Sequence, residues 1–355
     1  MEQHLEDVHS LREFPTDNHD YFIDHEKPLG KGTWSIVYGA YANDPTSGQG
    51  KWSKVWGAEA SGSMYNPTGP VAPILGAITP PMTPVRSKAV KRIDSAMSGE
   101  SYDYAIKVPS GRAASIVLTK EAEILSFLCR QPKLQGHVVP FYGFDRRNSS
   151  VVLQALPFSL DTFRQHVAAT FPRDFPMLAL HLLEGLSGLH AAGVVHADIK
   201  PANILLSDHP PVPIFADFSA AFFANDPPEA QIAAGTWEFL APELCTTFPK
   251  PPTPSYASDV YALGMTLLHF LINTSPFAAA SNAFQMRDMV KKGRPIEYAL
   301  DLPEGQKAFS AIGGRCGFDL VAFLKLGLAK NPGDRCTAEE WAQWLRMALR
   351  NDSTF

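Results

Sequence analysis

The sequence predicts an α+β protein of two unequal parts: a small antiparallel sheet carrying one main helix, then a larger, mainly helical region. Three observations lead there. Strand-like stretches lie at 21–41, 102–110, Val138–Phe144 and Ser150–Leu156, the last two separated by the turn-rich Asp145-Arg146-Arg147-Asn148. One amphipathic helical segment, 112–130, sits among them with apolar residues at Ile116, Val117, Ala122, Ile124, Leu125 and Leu128. From about Ser159 the pattern turns helical, with Met177–Ala192 a long amphipathic helix and Val260–Ile272 an apolar run. That run is shorter than a bilayer span and carries His269, so it reads as a core helix.

A chain of 355 residues accommodates one two-part domain with short extensions, but not a second sizeable module. A hydrophobic fraction of 45% supplies a packed core, and a net charge of −5 argues against nucleic acid or an anionic membrane as an obligatory partner. Cys129, Cys245, Cys316 and Cys336 have neither zinc-site nor disulfide-framework spacing, which points to reduced thiols in an intracellular compartment, cytoplasmic or nuclear. The N-terminus is acidic and broken by charges, unlike a secretory signal, and 1–20 reads as a polar tail; 351–355 reads as a C-terminal tail.

The chemistry is concentrated in HADIKPANILL, His196–Leu206, followed eleven positions later by Asp217-Phe218-Ser219. Asp198 stands five residues before Asn203, with Lys200 between them. One carboxylate placed to accept a hydroxyl proton, with an amide oxygen and a second carboxylate able to hold a divalent metal beneath a triphosphate, suits phosphoryl transfer. Upstream, LGKGTWSIVYGA (Leu29–Ala40) places Gly30 and Gly32 in a run that alternates like two strands joined by a tight turn. Glycine there lets backbone N–H groups approach phosphate without an intervening Cβ. YAIKV (Tyr104–Val108) is an apolar strand interrupted by the single Lys107.

These motifs, together with KEAEILSFL, GTWEFLAPE (Gly235–Glu243), SDVYALGMTLLHFL (Ser258–Leu271) and NPGDR (Asn331–Arg335), occur in the order found in the eukaryotic protein kinase superfamily, which the chain resembles from 29 to 335. The resemblance implies a bilobal protein kinase fold, with an N-lobe at 21–156 and a C-lobe at 157–350. It also implies ATP and Mg²⁺ as cofactors and proteins as substrates. By the same resemblance Lys107 pairs the nucleotide phosphates with Glu121 as its partner. Glu123 lies about 200° around the helix from Glu121, so both cannot face one lysine. Asn203 and Asp217 are the implied metal ligands and Asp198 the implied proton acceptor. Lys200 is implied to contact the transferring phosphate, as in the serine/threonine-specific subset. Gly30, Lys31, Gly32, Val37, Ala105, Leu153, Gln154, Leu156 and Leu205 complete the implied nucleotide-contacting set, with Gln154–Leu156 joining the lobes. Asp259 is implied to tie down the catalytic loop, and Arg335 to pair with Glu243.

Three positions depart from the family pattern. Ser35 replaces a third glycine. Ala197 stands where most kinases have the arginine that receives an activation-loop phosphate, and no Ser, Thr or Tyr lies between Ala220 and Gly235. Receptor and acceptor are both missing, so activation-loop phosphorylation is not expected to switch the protein; Phe222 and Phe223 are expected to hold the loop by apolar contacts. Thr236 is implied to line the peptide site. Ser219 replaces the glycine after Asp217-Phe218 and should restrict backbone flipping there.

Between the second and third strands the chain inserts about sixty residues, roughly 42–101, rich in Gly, Pro, Ser and Thr and expected to be disordered. It contains the alternating Lys51–Trp56, Thr79-Pro80, Thr83-Pro84 and the basic Lys88–Arg92. The default reading is an inert linker; the hypothesis set against it is a regulatory arm with its own partner, phosphorylated at Thr79 or Thr83 by a proline-directed kinase. Competing functional readings are a pseudokinase or scaffold, a small-molecule kinase sharing the H-x-D-x-x-x-x-N loop, and a docking protein acting through its insertion.

Overall fold

The structure, a computed structural model, describes residues 10–17, 19–43, 102–163, 171–207, 211–228, 236–245, 252–313 and 316–351. Strands β1 (Asp20–Lys31), β2 (Ser35–Asn43), β3 (Tyr104–Pro109), β4 (Phe141–Asp145) and β5 (Ser150–Gln154) form an antiparallel sheet in the order β1-β2-β3-β5-β4. Helix α1 (Arg112–Leu128) buries Ala114, Leu118, Ala122 and Leu125. Their spacing of three or four residues makes one face.

The second region is mainly helical: α2 (Leu160–Phe163), α3 (Phe171–Ala191), α4 (Tyr256–Ile272), α5 (Ala283–Lys292), α6 (Pro295–Asp301), α7 (Pro303–Gly313), α8 (Leu320–Gly327) and α9 (Ala338–Asn351). Helix α4 starts at a reciprocal Ser255/Ser258 capping box, stops at Asn273 in the left-handed conformation, and is buried along nearly its whole length. Two small sheets complete the region: β7 (Val194–Val195) with β10 (Phe222–Phe223), and β6 (Phe158–Ser159) with β8 (Ile204–Leu206) and β9 (Pro213–Phe215). The architecture is α+β with a small sheet lobe and a larger helical lobe, as the sequence predicts. One continuous apolar core runs from Leu118, Val151 and Leu153 of the first lobe to Leu263, Phe323 and Trp341 of the second. Among the described residues no helix is long and apolar enough to cross a membrane.

Two expectations change. Residues 10–17 do not form a free tail. The Phe14 N–H donates to the Phe144 carbonyl at 3.0 Å, the Phe144 N–H donates to the Arg12 carbonyl at 2.9 Å, and Phe14 is buried in a second small core with Ala40, Ile106 and Val152. The fourth strand begins at Phe141 rather than Val138, because the preceding residues bond across to the other lobe. There the Val139 N–H donates to the Phe215 carbonyl and the Phe215 N–H to the His137 carbonyl. Strand β2 reaches Asn43. The rest of the insertion, including Lys51–Trp56, Thr79, Thr83 and Lys88–Arg92, lies outside the described residues, as do 1–9 and 352–355.

Candidate active site

Lys107 projects from the middle of β3, where the sheet register pairs it with Val37 on one side and Val151 on the other. Its side chain is almost wholly enclosed, at 5% exposure. An ammonium so buried needs compensating carboxylates. Glu121 supplies both oxygens, at 2.8 and 2.7 Å, and Asp217 Oδ1 accepts a third bond at 2.7 Å. Glu121, not Glu123, is therefore the helical carboxylate that meets the lysine. Burial alone would depress the lysine pKa, yet the Asp217 and Glu121 charges hold it above the ordinary value. Burial likewise opposes ionisation of Asp217, and Lys107 overrides it, so its carboxyl is held below the usual range. Glu121 also accepts the Phe218 N–H at 3.1 Å, which joins α1 to the segment bearing Asp217.

The loop after β7 is fixed from beneath. Asp259, on the first turn of α4, accepts the N–H of His196 at 2.8 Å and of Ala197 at 2.9 Å. Ala197 takes φ = 63°, left-handed and uncommon for a residue with a Cβ, and the Asp259 bonds help hold it there. The turn aims Asp198 at Lys200 and Asn203. Asp198 Oδ2 accepts from Lys200 Nζ at 2.8 Å and from Asn203 Nδ2 at 2.9 Å. Asn203 Nδ2 donates also to the Asp198 carbonyl at 2.8 Å, so its amide group is used as donor and the amide oxygen is left over. Burial raises the Asp198 pKa, with Lys200 acting against it.

Asp217 is itself left-handed, φ = 59°, and caps a short 3₁₀ turn, Phe218–Ala220, by accepting from the Ser219 N–H at 3.4 Å. Its side chain keeps 40% exposure despite the bond to Lys107. The following Phe222–Phe223 pairs with Val194–Val195.

The remaining predicted residues lie on β1, β2, β3, β5 and β8 and in the segments that follow β1 and β5. Gly30 and Lys31 end β1, with Gly30 paired to Val37, and Gly32 lies in the following turn, donating its N–H to the Ser35 carbonyl at 2.8 Å. Ser35 is buried. A Cβ on Gly30 would meet nothing within 4 Å, so this glycine is not demanded by crowding within the chain. Ala105 pairs with Leu153 across β3 and β5; Gln154 ends β5, and Leu156 follows it. Val37, Leu156 and Leu205 are half-buried against the core that contains Ala105 and Leu153. Further away, Arg335 donates two 2.7 Å bonds to Glu243 and lies 4.8 Å from the Tyr261 ring centre. Gly235 lies outside the described residues, whereas Thr236 precedes the 3₁₀ turn Trp237–Phe239.

Residues 97–345 match the protein kinase domain family model. The chain belongs to the protein kinase family. The match covers the lysine strand, the catalytic loop and the Glu243–Arg335 pair, while the glycine turn at Leu29–Ala40 precedes it. Related proteins include the serine/threonine-protein kinase ssp1 of Schizosaccharomyces pombe, 38% identical over 164 residues, which are 44% of this chain and 23% of that protein. The serine/threonine-protein kinase ISR1 of Eremothecium gossypii is 30% identical over 223 residues, 55% of this chain and 63% of that protein. The rabbit serine/threonine-protein kinase 17A is 29% identical over 184 residues, 51% of this chain and 42% of that protein. The chain thus spans less than two thirds of the length of each of these curated relatives.

Two contacts of this site were not read from the sequence. The Ser219 hydroxyl bonds Asp217 Oδ1 at 2.7 Å, and Phe223, expected to make apolar contacts, finds its partner in Phe127 of α1, edge-on at 5.2 Å. A serine beside a proposed ligand is a findable signal; a ring contact spanning so much sequence is not.

Proposed function

We propose that this protein is an ATP-dependent kinase that transfers the γ-phosphoryl group to Ser/Thr hydroxyls of protein substrates. The observation that carries the reading is the single Lys107 ammonium bonded at once to Glu121 and Asp217, which joins sheet, helix and metal-binding loop in one arrangement. Asn203 and Asp217 fit a divalent cation. They offer an amide oxygen and a carboxylate oxygen that take part in no hydrogen bond found among the described residues, and hard oxygen donors suit Mg²⁺. Bound there with ATP, the metal would supply neutralisation of charge on the phosphates.

The protein's own residues do the rest. Lys107 holds the non-transferred phosphates, and the backbone of the Gly30–Gly32 turn lies over them. Ala105, Val37, Leu153, Leu156 and Leu205 enclose the base, with backbone groups of Gln154–Leu156 bonding its edge. Asp198 orients the substrate hydroxyl and accepts its proton, a role its raised pKa suits. Lys200 stabilises the charge on the transferring group. Catalysis is then chiefly positioning and electrostatics, because phosphoryl transfer has a loose transition state.

Activation-loop phosphorylation is not the switch in this reading. In support, Ala197 offers no cation to a phosphate, and Phe222 and Phe223 anchor the start of the segment through strand pairing and ring packing. The insertion remains a proposed regulatory arm, testable by phosphopeptide mapping of Thr79 and Thr83. The pseudokinase alternative is tested together with the main reading. Purified protein with Mg²⁺-ATP and a peptide library should label Ser/Thr peptides, and Asp198→Asn and Lys107→Met should abolish the labelling. Absence of transfer by the unaltered protein would leave the scaffold reading standing.

A further inference from the structure

We infer that Ser219 is a positioning residue for the divalent cation, acting through Asp217; the inference rests on the kinase reading of the site. Three donors converge on Asp217 Oδ1: Lys107 Nζ at 2.7 Å, Ser219 Oγ at 2.7 Å and, more weakly, the Ser219 N–H at 3.4 Å. The other carboxylate oxygen accepts no hydrogen bond found among the described residues. With glycine at 219, Oδ1 would keep the lysine and the backbone N–H. Lys107 is shared with both oxygens of Glu121, so its pull on Asp217 is divided. Among the described residues the hydroxyl is the one side-chain donor at Oδ1 that is local to the turn and not shared with another carboxylate.

Its effect is geometric. A carboxylate rotates about its Cβ–Cγ bond through a broad, shallow well. Two short bonds converging on one oxygen from different directions, one from β3 and one from the same 3₁₀ turn, fix that rotation. They also distinguish the oxygens, committing Oδ1 to the protein and leaving Oδ2 for a cation. The left-handed backbone at Asp217, φ = 59°, gives the turn that returns Ser219 to its neighbour's side chain. Serine therefore supplies a contact that glycine cannot, besides limiting the backbone. Loss of a group that orients a metal ligand typically costs about 10–100-fold in metal affinity.

The test uses the full chain with adenylyl imidodiphosphate and Mn²⁺ as the probe metal, with free Mn²⁺ followed by electron paramagnetic resonance. Ser219→Ala should weaken Mn²⁺ binding about tenfold, while Ser219→Thr, which keeps the hydroxyl, should remain within about twofold of the unaltered protein. Nucleotide affinity measured without metal should be the same for all three. Equal Mn²⁺ affinity of Ser219→Ala and unaltered protein would overturn the inference, and so would a Ser219→Thr variant as weak as Ser219→Ala. If the unaltered protein binds metal–nucleotide and follows this pattern but phosphorylates no peptide, the kinase reading fails and the positioning role stands. If it binds no metal–nucleotide, both fall.

Discussion

The Phe223 ring meets Phe127 edge-on, with ring centres 5.2 Å apart at 81°, tying the strand after Asp217 to the last turn of the helix that carries Glu121. Phe127 lies six positions after Glu121 along that helix, and Phe223 six positions after Asp217. The aromatic contact therefore braces the two carboxylates that share Lys107. A phosphate on an activation loop would do comparable work in a kinase that had the receiving arginine.

The first prediction follows from that brace. Protein made in bacteria and shown by mass spectrometry to be unphosphorylated should phosphorylate peptide at its full rate. Phe223→Ala should lower kcat about two- to tenfold, the range that corresponds to an aromatic pair, while leaving the fold intact by circular dichroism. Unphosphorylated protein that is inactive and revived by a modification within 219–236 would contradict it.

A second prediction concerns pH. Burial raises the Asp198 pKa, so the proton-accepting form is lost as pH falls through a value above that of an ordinary aspartate, near 3.9. In the protein free of metal and nucleotide, the Asp198 carboxyl followed by NMR should consequently titrate at higher pH than a solvent-exposed carboxylate. Lys200 works in the opposite sense, so Lys200→Ala should move that titration to still higher pH. A titration that stays put in the variant would remove Lys200 from the account.

The residues around Lys107 were readable through the order and spacing of motifs shared with the protein kinase superfamily. Asp198 stands five residues before Asn203, to which it is hydrogen-bonded, and Lys107 interrupts an apolar strand and meets Glu121. Strand-like stretches followed by long apolar helices gave the α+β element order, and the resemblance to protein kinases gave its division into two lobes. Segment 10–17 was unreadable because its single bridge, Glu13 to Phe144, is too short to show a period. The start of β4 was misjudged because Val138 and Val139 look like strand residues but bond to Phe215 in the other lobe. At Ser219 the departure from glycine is visible in the sequence, whereas the Oγ bond to Asp217 Oδ1 depends on the left-handed turn at Asp217.

Arg335 gives a third prediction. Its side chain is fully buried and donates to both oxygens of Glu243 and to the carbonyls of Ala257, Ala329 and Lys330. Removing one member leaves buried acceptors and a charge without their partner, a loss of about 3–5 kcal/mol. Arg335→Ala should unfold at markedly lower denaturant concentration, and Arg335→Lys should recover little, since an ammonium cannot reproduce the planar two-pronged geometry. Equilibrium urea unfolding of the three proteins decides this; a lysine variant as stable as the arginine protein would refute the geometric argument.

The last prediction tests whether the N-terminal segment is part of the lobe. Phe14 is buried against Ala40, Ile106 and Val152, with Tyr21 and Tyr104 packed around it. The Arg12 N–H donates to Ser126 Oγ at 2.8 Å, on the helix that carries Glu121. Opposite lies Gly143 at φ = 152°, a conformation a residue with a Cβ rarely adopts, and a methyl there would run into the backbone of Glu13 and Phe14. Phe14→Ala should cost about 3 kcal/mol and lower peptide phosphorylation by loosening the helix. Gly143→Ala should also destabilise, through backbone strain and through collision with the segment. Only the collision depends on the segment's presence, so removing residues 1–16 should make Gly143→Ala less damaging than it is in the full chain. That non-additivity, read from a double-mutant cycle on thermal or urea unfolding, is the signature of direct contact. Strictly additive losses would mean that residues 10–17 contribute nothing at Gly143.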